Sequence, residues 1–310
     1  MKTLVTGGAG FIGSHLAETL LKEGHSVRVL DNFATGKRSN LKDIERDAEI
    51  IEGDIRDPDT CLSACREIEC VWHLAALGSV PRSIADPMTS HQVNITGTLN
   101  MLLAAREAGV RRLVFASSSS VYGGNPELPR VETQHPMPLS PYANTKLAAE
   151  TYVRQFAWLY DMETVALRYF NVYGPKQDPA SIYAAVVPKF ISALKAGQSP
   201  IIYGDGEQSR EFTYVADCVR ANILAGTRPA EGISGEQFNV AAGRPVTVNK
   251  LFALVQAEVG VDIPAQYEPP RAGDVKFSDS NINKARSKLG FDPKWLIEDG
   301  IRETVARFEP

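Results

Sequence analysis

Residues Lys2–Gly13 read KTLVTGGAGFIG, a short β-branched run followed at once by a glycine-rich turn. From Gly8 the glycines satisfy G-x-G-x-x-G, and from Gly7 they satisfy the longer variant G-x-x-G-x-x-G. Ser14–Glu23 then has leucines at helical spacing, which predicts a helix directly after the turn. Glycines let a backbone approach a pyrophosphate, and a helix N-terminus presents N–H donors to it. The stretch therefore predicts a strand, turn and helix that bind a dinucleotide.

Acidic residues follow the next two predicted strands. Ser26–Leu30 is followed by Asp31, which lies 18 residues after Gly13. A carboxylate at this spacing suits the adenosine ribose hydroxyls and repels a 2′-phosphate, which favours NAD over NADP. The nearby cations Lys37 and Arg38 leave NADP open.

Asp54 comes after the third predicted strand, Glu49–Glu52. Its carboxylate has two equally supported roles. It could contact the adenine amino group, or it could cap a helix that starts near Pro58.

Further strands alternate with helices. The other predicted strands are Val71–Ala76, Leu113–Ala116, Thr164–Leu167 and Phe238–Val240, and the long predicted helices are Asn94–Ala108 and Tyr142–Tyr160. This alternation predicts an α/β fold with a Rossmann-type, doubly wound parallel sheet. We expect residues 1–170 to form the dinucleotide-binding domain, to which the chain returns at about 213–242. Residues 171–212 and 243–310 are expected to form a smaller α/β lobe that closes over the cofactor.

Composition narrows the classes of function. The 310 residues carry a net charge of −4 without a basic block, which argues against nucleic acid as the main partner. No apolar run approaches the roughly 20 residues that a membrane span needs. Because the chain starts with a strand, we expect no signal peptide and a cytoplasmic protein. The four cysteines lack CxxC spacing and do not cluster with the five histidines, which predicts reduced thiols and no metal site.

Two further motifs predict catalysis. Residues Ser117–Gly123 read SSSSVYG, and Ser140–Lys146 read SPYANTK. Tyr142 and Lys146 are four residues apart, so a helix places them on one face. A nearby ammonium lowers the pKa of a phenol below its usual value of about 10. We therefore expect Tyr142 to take a proton from a hydroxyl group near neutral pH.

With these motifs the chain resembles the extended short-chain dehydrogenase/reductase family, and within it the NAD-dependent nucleotide-sugar 4-epimerases. The resemblance runs nearly end to end. It rests on TGGAGFIG (6–13), DN (31–32), GDIRD (53–57), HLAA (73–76), SSSSVYG (117–123), PYANTK (141–146), LRYFNVYGP (167–175) and RAGD (271–274). The segments GPKQDP (174–179), YAAVVPKF (183–190) and GDGEQSREF (204–212) are similar to the bacterial UDP-N-acetylglucosamine 4-epimerases.

The resemblance implies the catalytic residues of a UDP-sugar 4-epimerase. Tyr142 would be the acid and base, and Lys146 would bind the nicotinamide ribose and lower the pKa of Tyr142. Ser118 matches the catalytic hydroxyl because it lies four positions before Tyr122, with Ser117 and Ser119 as adjacent alternatives. A proton and a hydride would leave the 4′-position together, and the 4-keto sugar would turn over before both return. NAD would stay tightly bound throughout.

Binding residues follow from the same resemblance. Those implied for NAD are Gly7, Gly10, Phe11, Ile12, Asp31, Asn32, Asp54, Ile55, Ala75, Asn94, Tyr142, Lys146 and Tyr169. Those implied for the UDP-sugar are Ser118, Tyr142, Asn171, Tyr203, Arg210, Arg271, Asp274 and Ser278. A pair of arginines suits the pyrophosphate, because the guanidinium fork matches phosphate oxygens.

Small residues at three positions indicate the sugar. Ser278 matches the family's sugar-pocket gatekeeper, where a large aromatic side chain would exclude a 2-N-acetyl group. Gly78 and Ala185 are small as well. We therefore expect UDP-GlcNAc and UDP-GalNAc as substrates, with UDP-Glc and UDP-Gal as further ones. Ser119 and Ser120 occupy positions where 4,6-dehydratases carry acids, which disfavours dehydration and weakens a decarboxylase interpretation.

Several alternatives stay open at this point. They are a UDP-glucuronic acid 4-epimerase, a non-catalytic NAD-binding regulator, and an enzyme that exchanges NAD in each turnover. A regulator would be expected to lose the tyrosine, lysine or arginines that this chain keeps. Related enzymes are commonly homodimers. The wide apolar cover of the two long helices agrees with a homodimer and equally with burial beneath the sheet.

Overall fold

The computed structural model describes residues 1–178, 185–270 and 277–308. The strands in chain order are β1 (Lys2–Thr6), β2 (Ser26–Asp31), β3 (Glu49–Glu52), β4 (Cys70–His73), β5 (Arg112–Ser118), β6 (Glu163–Tyr169), β7 (Val172–Tyr173), β8 (Ile201–Tyr203), β9 (Ser209–Arg210), β10 (Thr213–Tyr214), β11 (Glu236–Val240), β12 (Val246–Thr247) and β13 (Gln266–Glu268). The α-helices are α1 (Phe11–Lys22), α2 (Pro58–Cys65), α3 (Val80–Ala85), α4 (Pro87–His91), α5 (Gly97–Glu107), α6 (Pro141–Tyr160), α7 (Val186–Lys195), α8 (Val215–Thr227), α9 (Val248–Val259) and α10 (Ile297–Ala306).

A parallel sheet of seven strands forms the centre of the molecule, in the order β11-β6-β5-β4-β1-β2-β3. The chain moves outward from β1 to β3, then returns past β1 to β4 and continues the other way. This reversal beside β1 defines a doubly wound sheet, so the predicted Rossmann-type α/β fold is confirmed. Ligands of such sheets bind beyond the carboxyl ends of the strands at the reversal, where the glycine turn follows β1.

Alternating side chains on the strands feed two separate cores. On β1, Val5 packs into the core beneath α1 and α8, whereas Leu4 packs into the core that contains side chains of α2, α5 and α6. Val114 and Leu113 of β5 divide in the same way. A sheet covered by helices on both faces has apolar residues at successive positions, which explains why its strands read as continuous apolar runs.

Proline and serine fix the start of α6. Pro141 occupies the first turn, where its missing N–H costs no helical hydrogen bond. The Ser140 side chain accepts a 3.1 Å hydrogen bond from the backbone N–H of Ala143. Because the helix begins at this point, Tyr142 lies in its first turn and Lys146 one turn later, as the spacing predicted.

The structure differs from the prediction around residues 70–108. The strand predicted at Val71–Ala76 ends at His73, and the helix predicted at Asn94–Ala108 is an α-helix that starts at Gly97. A π-helical turn, Gln92–Thr96, joins α4 to α5. Within it the buried Asn94 side chain holds Leu77 by two hydrogen bonds, to its N–H and its carbonyl oxygen. This tertiary contact accounts for a local geometry that helical spacing does not indicate.

Six short strands of the described ranges lie outside the central sheet and form three pairs. β8 pairs with β13, β9 with β12, and β7 with β10. β11 pairs with β6 in parallel, so the chain returns to the large sheet as Phe238–Val240 predicted. The division into a cofactor domain and a substrate lobe stays a prediction.

Among the helices of the described ranges, none combines the length and apolarity that a bilayer crossing requires.

Candidate functional site

The glycine turn brings the backbone of β1 close to the segment after β4. Gly7 has a φ of 69°, and a Cβ atom there would lie 2.7 Å from the backbone nitrogen of Ala75. A Cβ atom on Gly13 would lie 2.1 Å from the Gly7 carbonyl oxygen. Only glycine fits such contacts. The turn leads into the 12-residue helix α1, whose first N–H groups are available to an anion.

A cavity of about 180 Å³ opens beside this turn. The residues predicted for the dinucleotide that line it are Gly7, Gly10, Asp31, Asn32, Asp54, Ile55 and Ala75. The sequence prediction missed other lining residues, among them Gly36 and Arg56. A Cβ atom on Gly36 would meet Asp31 Oδ2 at 3.0 Å, so a glycine in the loop after the acid would have been a usable signal.

Asp31 is a nearly buried carboxylate with oriented oxygens. Its Oδ2 accepts a 2.9 Å hydrogen bond from the Ala9 N–H, and its Oδ1 accepts a 2.8 Å bond from the Phe33 N–H. Burial raises the pKa of Asp31, and these two hydrogen bonds oppose the rise. Each oxygen keeps a second lone pair, so both can accept from ribose hydroxyls.

The two cations that left NADP open are engaged elsewhere. Lys37 pairs with Asp178 at 3.0 Å. Arg38 pairs with Glu52 and lies 4.0 Å above the centre of the Phe33 ring. Both cations thus have carboxylate partners, which agrees with the choice of NAD.

Asp54 is not the cap of α2. That role belongs to Asp57, whose side chain accepts a 3.2 Å hydrogen bond from the Asp59 N–H. Asp54 instead binds Asn32 at 2.9 Å and pairs with Arg56 at 2.7 Å. Its hydrogen bond with Arg56 is the main reason that its pKa falls to about 2. The structure therefore removes the capping alternative, and the adenine contact stays a prediction.

Other residues predicted for NAD have internal partners. Asn94 binds Leu77 and donates a 3.0 Å hydrogen bond to the Thr145 hydroxyl. Tyr169 donates a 2.8 Å hydrogen bond to Asn222 Oδ1. Phe11 and Ile12 are the first two residues of α1, directly after the glycine turn. Direct contacts of these four residues with NAD stay predictions.

Tyr142 and Ser118 meet where α6 begins and β5 ends. Burial raises the pKa of the Tyr142 phenol, and its hydrogen bond with the Ser118 side chain opposes the rise. One helical turn later, the Lys146 ammonium donates a 2.7 Å hydrogen bond to the Ala116 carbonyl oxygen. Without NAD the net direction is thus opposite to the expected lowering, and the effect of Lys146 on this pKa stays a prediction.

Lys146 is a buried cation, and no carboxylate of the described residues lies at hydrogen-bonding distance from it. Burial lowers its pKa to about 8. Its ammonium lies 5.0 Å from the centre of the Phe115 ring. The three donors of an ammonium can point in different directions, so the bond to Ala116 leaves donors for a ribose hydroxyl.

Neighbouring hydroxyls of the serine run have different partners. Ser117 donates a 2.6 Å hydrogen bond to Glu150, which forms a buried ion pair with Arg168. Ser118 accepts a 3.2 Å hydrogen bond from the Ser120 N–H and faces Tyr142. This geometry supports Ser118 over Ser117 as the reacting hydroxyl.

A second cavity, of about 280 Å³, lies between the small strands and α7. Three residues predicted for the UDP group line it, namely Asn171, Tyr203 and Arg210. Missed lining residues include Phe190, Gln208 and Phe212. A mixture of aromatic walls, a guanidinium and amides is what a nucleotide requires. Arg271 and Asp274 lie outside the described residues.

Ser278 was predicted to contact the sugar. Its hydroxyl oxygen is buried and has no hydrogen-bond partner among the described residues. Because buried hydroxyls are normally hydrogen-bonded, this oxygen is suited to a ligand or a water molecule.

Comparison with known proteins agrees with the geometry. Residues 3–241 match the model of the NAD dependent epimerase/dehydratase family. The chain belongs to this family. It is 42% identical over 312 residues to the UDP-glucose 4-epimerase of Mycolicibacterium smegmatis, with 99% of this chain and 98% of that protein covered.

Two solved structures of epimerases are also similar to this family member. One is the UDP-glucose 4-epimerase of Thermotoga maritima with UDP-glucose, at 40% identity and a TM-score of 0.93, covering 99% of this chain and 98% of that one. The other is the UDP-N-acetylglucosamine 4-epimerase of Methanobrevibacter ruminantium M1 in complex with UDP-N-acetylmuramic acid. It shares 42% identity and a TM-score of 0.93, covering 99% of this chain and 97% of that one. The resemblance to NAD-dependent UDP-sugar 4-epimerases is thus confirmed, and with it an enzyme that uses NAD.

Proposed function

We propose that this enzyme interconverts UDP-GlcNAc and UDP-GalNAc by 4-epimerisation, with UDP-Glc and UDP-Gal as further substrates. The observation that carries the proposal is the half-buried Tyr142 phenol, hydrogen-bonded with Ser118 one helical turn before the buried Lys146. This group lies at the carboxyl end of β5, two strands from the glycine turn that follows β1. A proton acceptor and a dinucleotide site thus share one edge of the sheet.

The residues divide the reaction between them. Tyr142 removes the proton of the sugar 4′-hydroxyl and later returns it, while Ser118 hydrogen-bonds to the same oxygen and orients it. Lys146 provides a positive charge that favours the phenolate in the reacting state. NAD, when bound, supplies the acceptor for the hydride of C4 and gives it back. Asp31 and the first turn of α1 would hold its adenosine ribose and pyrophosphate.

The second cavity explains how a ketone could turn over without leaving. Arg210 and Tyr203 would hold the UDP group, and Asn171 is fixed beside them by its 2.9 Å hydrogen bond to the Glu211 carbonyl oxygen. Binding strength placed on the nucleotide leaves the sugar free to rotate. A UDP group held in this way would keep the 4-keto sugar in the site until the hydride returns.

Two observations support the N-acetylated substrates. A Cβ atom on Gly78 would meet nothing within 4 Å, so the backbone there faces open space. The buried Ser278 hydroxyl has no partner within the described residues and could donate to the acetamido carbonyl. A bulky aromatic residue at position 278 would remove this donor and fill the space beside it.

The test is one product assay without added NAD. Purified enzyme is incubated separately with UDP-GlcNAc, UDP-Glc and UDP-glucuronic acid, and products are separated by anion exchange. We expect UDP-GlcNAc to be converted to UDP-GalNAc and expect Tyr142→Phe to abolish this. Ser278→Tyr should lose the N-acetylated reaction and keep the UDP-Glc reaction. Turnover of UDP-glucuronic acid alone would show that the proposed substrate is wrong.

We also propose that the enzyme is a homodimer joined through α5 and α6. Leu103 of α5 is 44% exposed, and Trp158 and Leu159 of α6 are 63% and 68% exposed. Such apolar exposure on adjacent helices is typical of a protein interface. Light scattering should give twice the chain mass of 33.8 kDa. Leu103→Glu combined with Leu159→Glu should halve that mass.

A further inference from the structure

His73 is a buried residue at the end of β4, and both of its ring nitrogens contact threonine hydroxyls. Its Nδ1 lies 2.7 Å from Thr6 Oγ1, and its Nε2 lies 3.0 Å from Thr98 Oγ1. The side chain is fully inaccessible to solvent. Its ring stacks on Phe115 with the centroids 5.9 Å apart. The chemistry proposed above does not explain why two hydroxyls flank this imidazole.

The hydrogen-bond partners determine where the imidazole proton lies. Thr98 donates its hydroxyl hydrogen to the Asn94 carbonyl oxygen at 2.7 Å, so it can only accept from His73. The proton is therefore on Nε2, and Nδ1 accepts from Thr6. Thr6 in turn accepts a 3.2 Å hydrogen bond from the Ala75 N–H. Each donor in this series of hydrogen bonds has one acceptor. The series therefore holds the imidazole as the neutral Nε2–H tautomer.

The two ends of this series of hydrogen bonds reach different parts of the site. One end is Thr6 and Ala75, whose backbones enclose the glycine turn. The other end is Asn94 in the π-helical turn, which donates to Thr145 at 3.0 Å. Thr145 donates a 2.8 Å hydrogen bond to the carbonyl oxygen of Tyr142. The imidazole thus connects the dinucleotide turn to the first turn of the catalytic helix.

Charge requires the same neutral form. The imidazole stacks on the Phe115 ring, and the Lys146 ammonium lies 5.0 Å from the centre of that same ring. Burial and, next, this ammonium lower the pKa of His73 to about 3. A second proton would lie on Nδ1, facing the Thr6 hydroxyl, and would leave the hydrogen of that hydroxyl without its acceptor.

We infer that His73 is a positioning residue of the epimerase: as a neutral imidazole between Thr6 and Thr98, it fixes the distance between the dinucleotide turn and the helix that carries Tyr142 and Lys146. This inference rests on the proposed function. The hydride leaves C4 and the proton leaves the hydroxyl oxygen on that carbon, so the cofactor turn and the phenol have to keep their spacing. Small displacements of reacting groups are costly, up to about a hundredfold in rate for roughly 1 Å.

Thr98→Val tests the inference because it removes one hydroxyl and keeps the shape of the side chain. We expect kcat to fall about tenfold while KM for the UDP-sugar changes little, because the variant moves α6 and not the nucleotide cavity. Thr98→Ser should restore kcat. Thr227→Val is the matched control, since Thr227 also bonds a carbonyl oxygen four residues earlier, on the exposed face of α8. Equal kcat values in Thr98→Val and Thr227→Val would overturn the inference.

Two measurements stay informative if no UDP-sugar is turned over. Nitrogen-15 NMR of the imidazoles, assigned by the loss of one signal set in His73→Phe, should show a neutral Nε2–H ring across the whole range of native stability. The Nδ1–H tautomer or an imidazolium would overturn the inference. Thr6→Val should lower the NAD retained after gel filtration relative to Thr98→Val, because only Thr6 lies beside the glycine turn. A failed epimerase assay with the expected tautomer and retention would overturn the substrate proposal alone.

Discussion

The Lys146 ammonium and the Ala116 carbonyl oxygen are joined by a 2.7 Å hydrogen bond between α6 and β5. Two other residues of the same helical face contact this strand: Tyr142 meets Ser118, and Glu150 accepts from Ser117. The three helix residues are spaced by four, so they lie in one row along α6. These three contacts fix the position of α6 along β5. They therefore set the distance between the Tyr142 phenol and the Ser118 hydroxyl.

The buried ammonium predicts an alkaline limit to activity. Since burial lowers the pKa of Lys146 to about 8, the side chain loses its proton as the pH rises through that value. A neutral amine no longer favours the phenolate, so kcat should fall above about pH 8. The Lys146→Arg variant keeps its positive charge at every accessible pH. Whatever its maximal rate, its kcat should therefore begin to fall only at a higher pH. Profiles of kcat against pH for both enzymes provide the check, and coincident limbs would rule out Lys146 as the titrating group.

The adjacent serines should have separable effects. Ser118→Ala is expected to lower kcat about a hundredfold, because it removes the hydroxyl beside the phenol. Ser117→Ala should leave kcat near the parent value and lower the free energy of unfolding by about 2 kcal/mol, because it deletes a buried hydrogen bond to a charged carboxylate. Steady-state kinetics and urea unfolding of both variants measure the two effects. A larger fall in kcat for Ser117→Ala than for Ser118→Ala would show that Ser117 is the reacting hydroxyl.

Local sequence signals predicted the parts of the fold that depend on neighbours along the chain. The strand, glycine turn and helix of residues 2–22 follow from side-chain period and from the lack of a Cβ atom at Gly7 and Gly13. The position of Asp31 follows from the same unit. Likewise, Pro141 and Ser140 determine where α6 begins, so the relative placement of Tyr142 and Lys146 could be predicted.

Features that depend on distant residues could not be predicted in this way. The π-helical turn accompanies a hydrogen bond between Asn94 and Leu77, and the spacing of residues along a helix does not indicate such a bond. The direction of the Tyr142 pKa depends on burial by the folded chain, whereas four-residue spacing reports only the distance to a cation. His73 has partners 67 and 25 residues away, so its tautomer could not be predicted from the sequence.

Asp31→Asn should reduce the NAD that remains with the purified enzyme. The side chain accepts from two backbone N–H groups, and an amide NH₂ cannot accept from either of them. One N–H of Ala9 or Phe33 would therefore lose its partner, and the loop beside the cofactor would shift. We expect NAD content per chain, measured after denaturation, to fall about tenfold.

NADP provides the counter-test for the same variant. Loss of the carboxylate removes repulsion of a 2′-phosphate, yet Lys37 and Arg38 already pair with Asp178 and Glu52. We therefore expect no gain of NADP binding in fluorescence titrations. Tight NADP binding by Asp31→Asn would show that these ion pairs open readily and that the acid alone selects NAD.

Glu211 is a buried acid between Arg210 and Phe212, two residues that line the nucleotide cavity. Its carboxylate is inaccessible to solvent. One oxygen accepts from the backbone N–H and the hydroxyl of Ser280, each at 3.2 Å, and the other accepts from the Arg244 N–H at 2.9 Å. Its own carbonyl oxygen holds Asn171. Ser280 is two residues after Ser278, so this buried acid anchors the segment that is proposed to contact the sugar.

Glu211→Gln tests this anchoring with little change of volume. The amide NH₂ would face N–H donors, so at least one backbone group loses its acceptor, at a cost of about 1–3 kcal/mol in unfolding free energy. We expect KM for the UDP-sugar to rise about tenfold with a smaller change in kcat, because binding is lost equally in the ground and transition states. Glu298→Gln on the exposed face of α10 is the matched control and should change neither value. A Glu211→Gln enzyme with lowered stability and unchanged KM would show that Glu211 serves the fold without positioning the substrate segment.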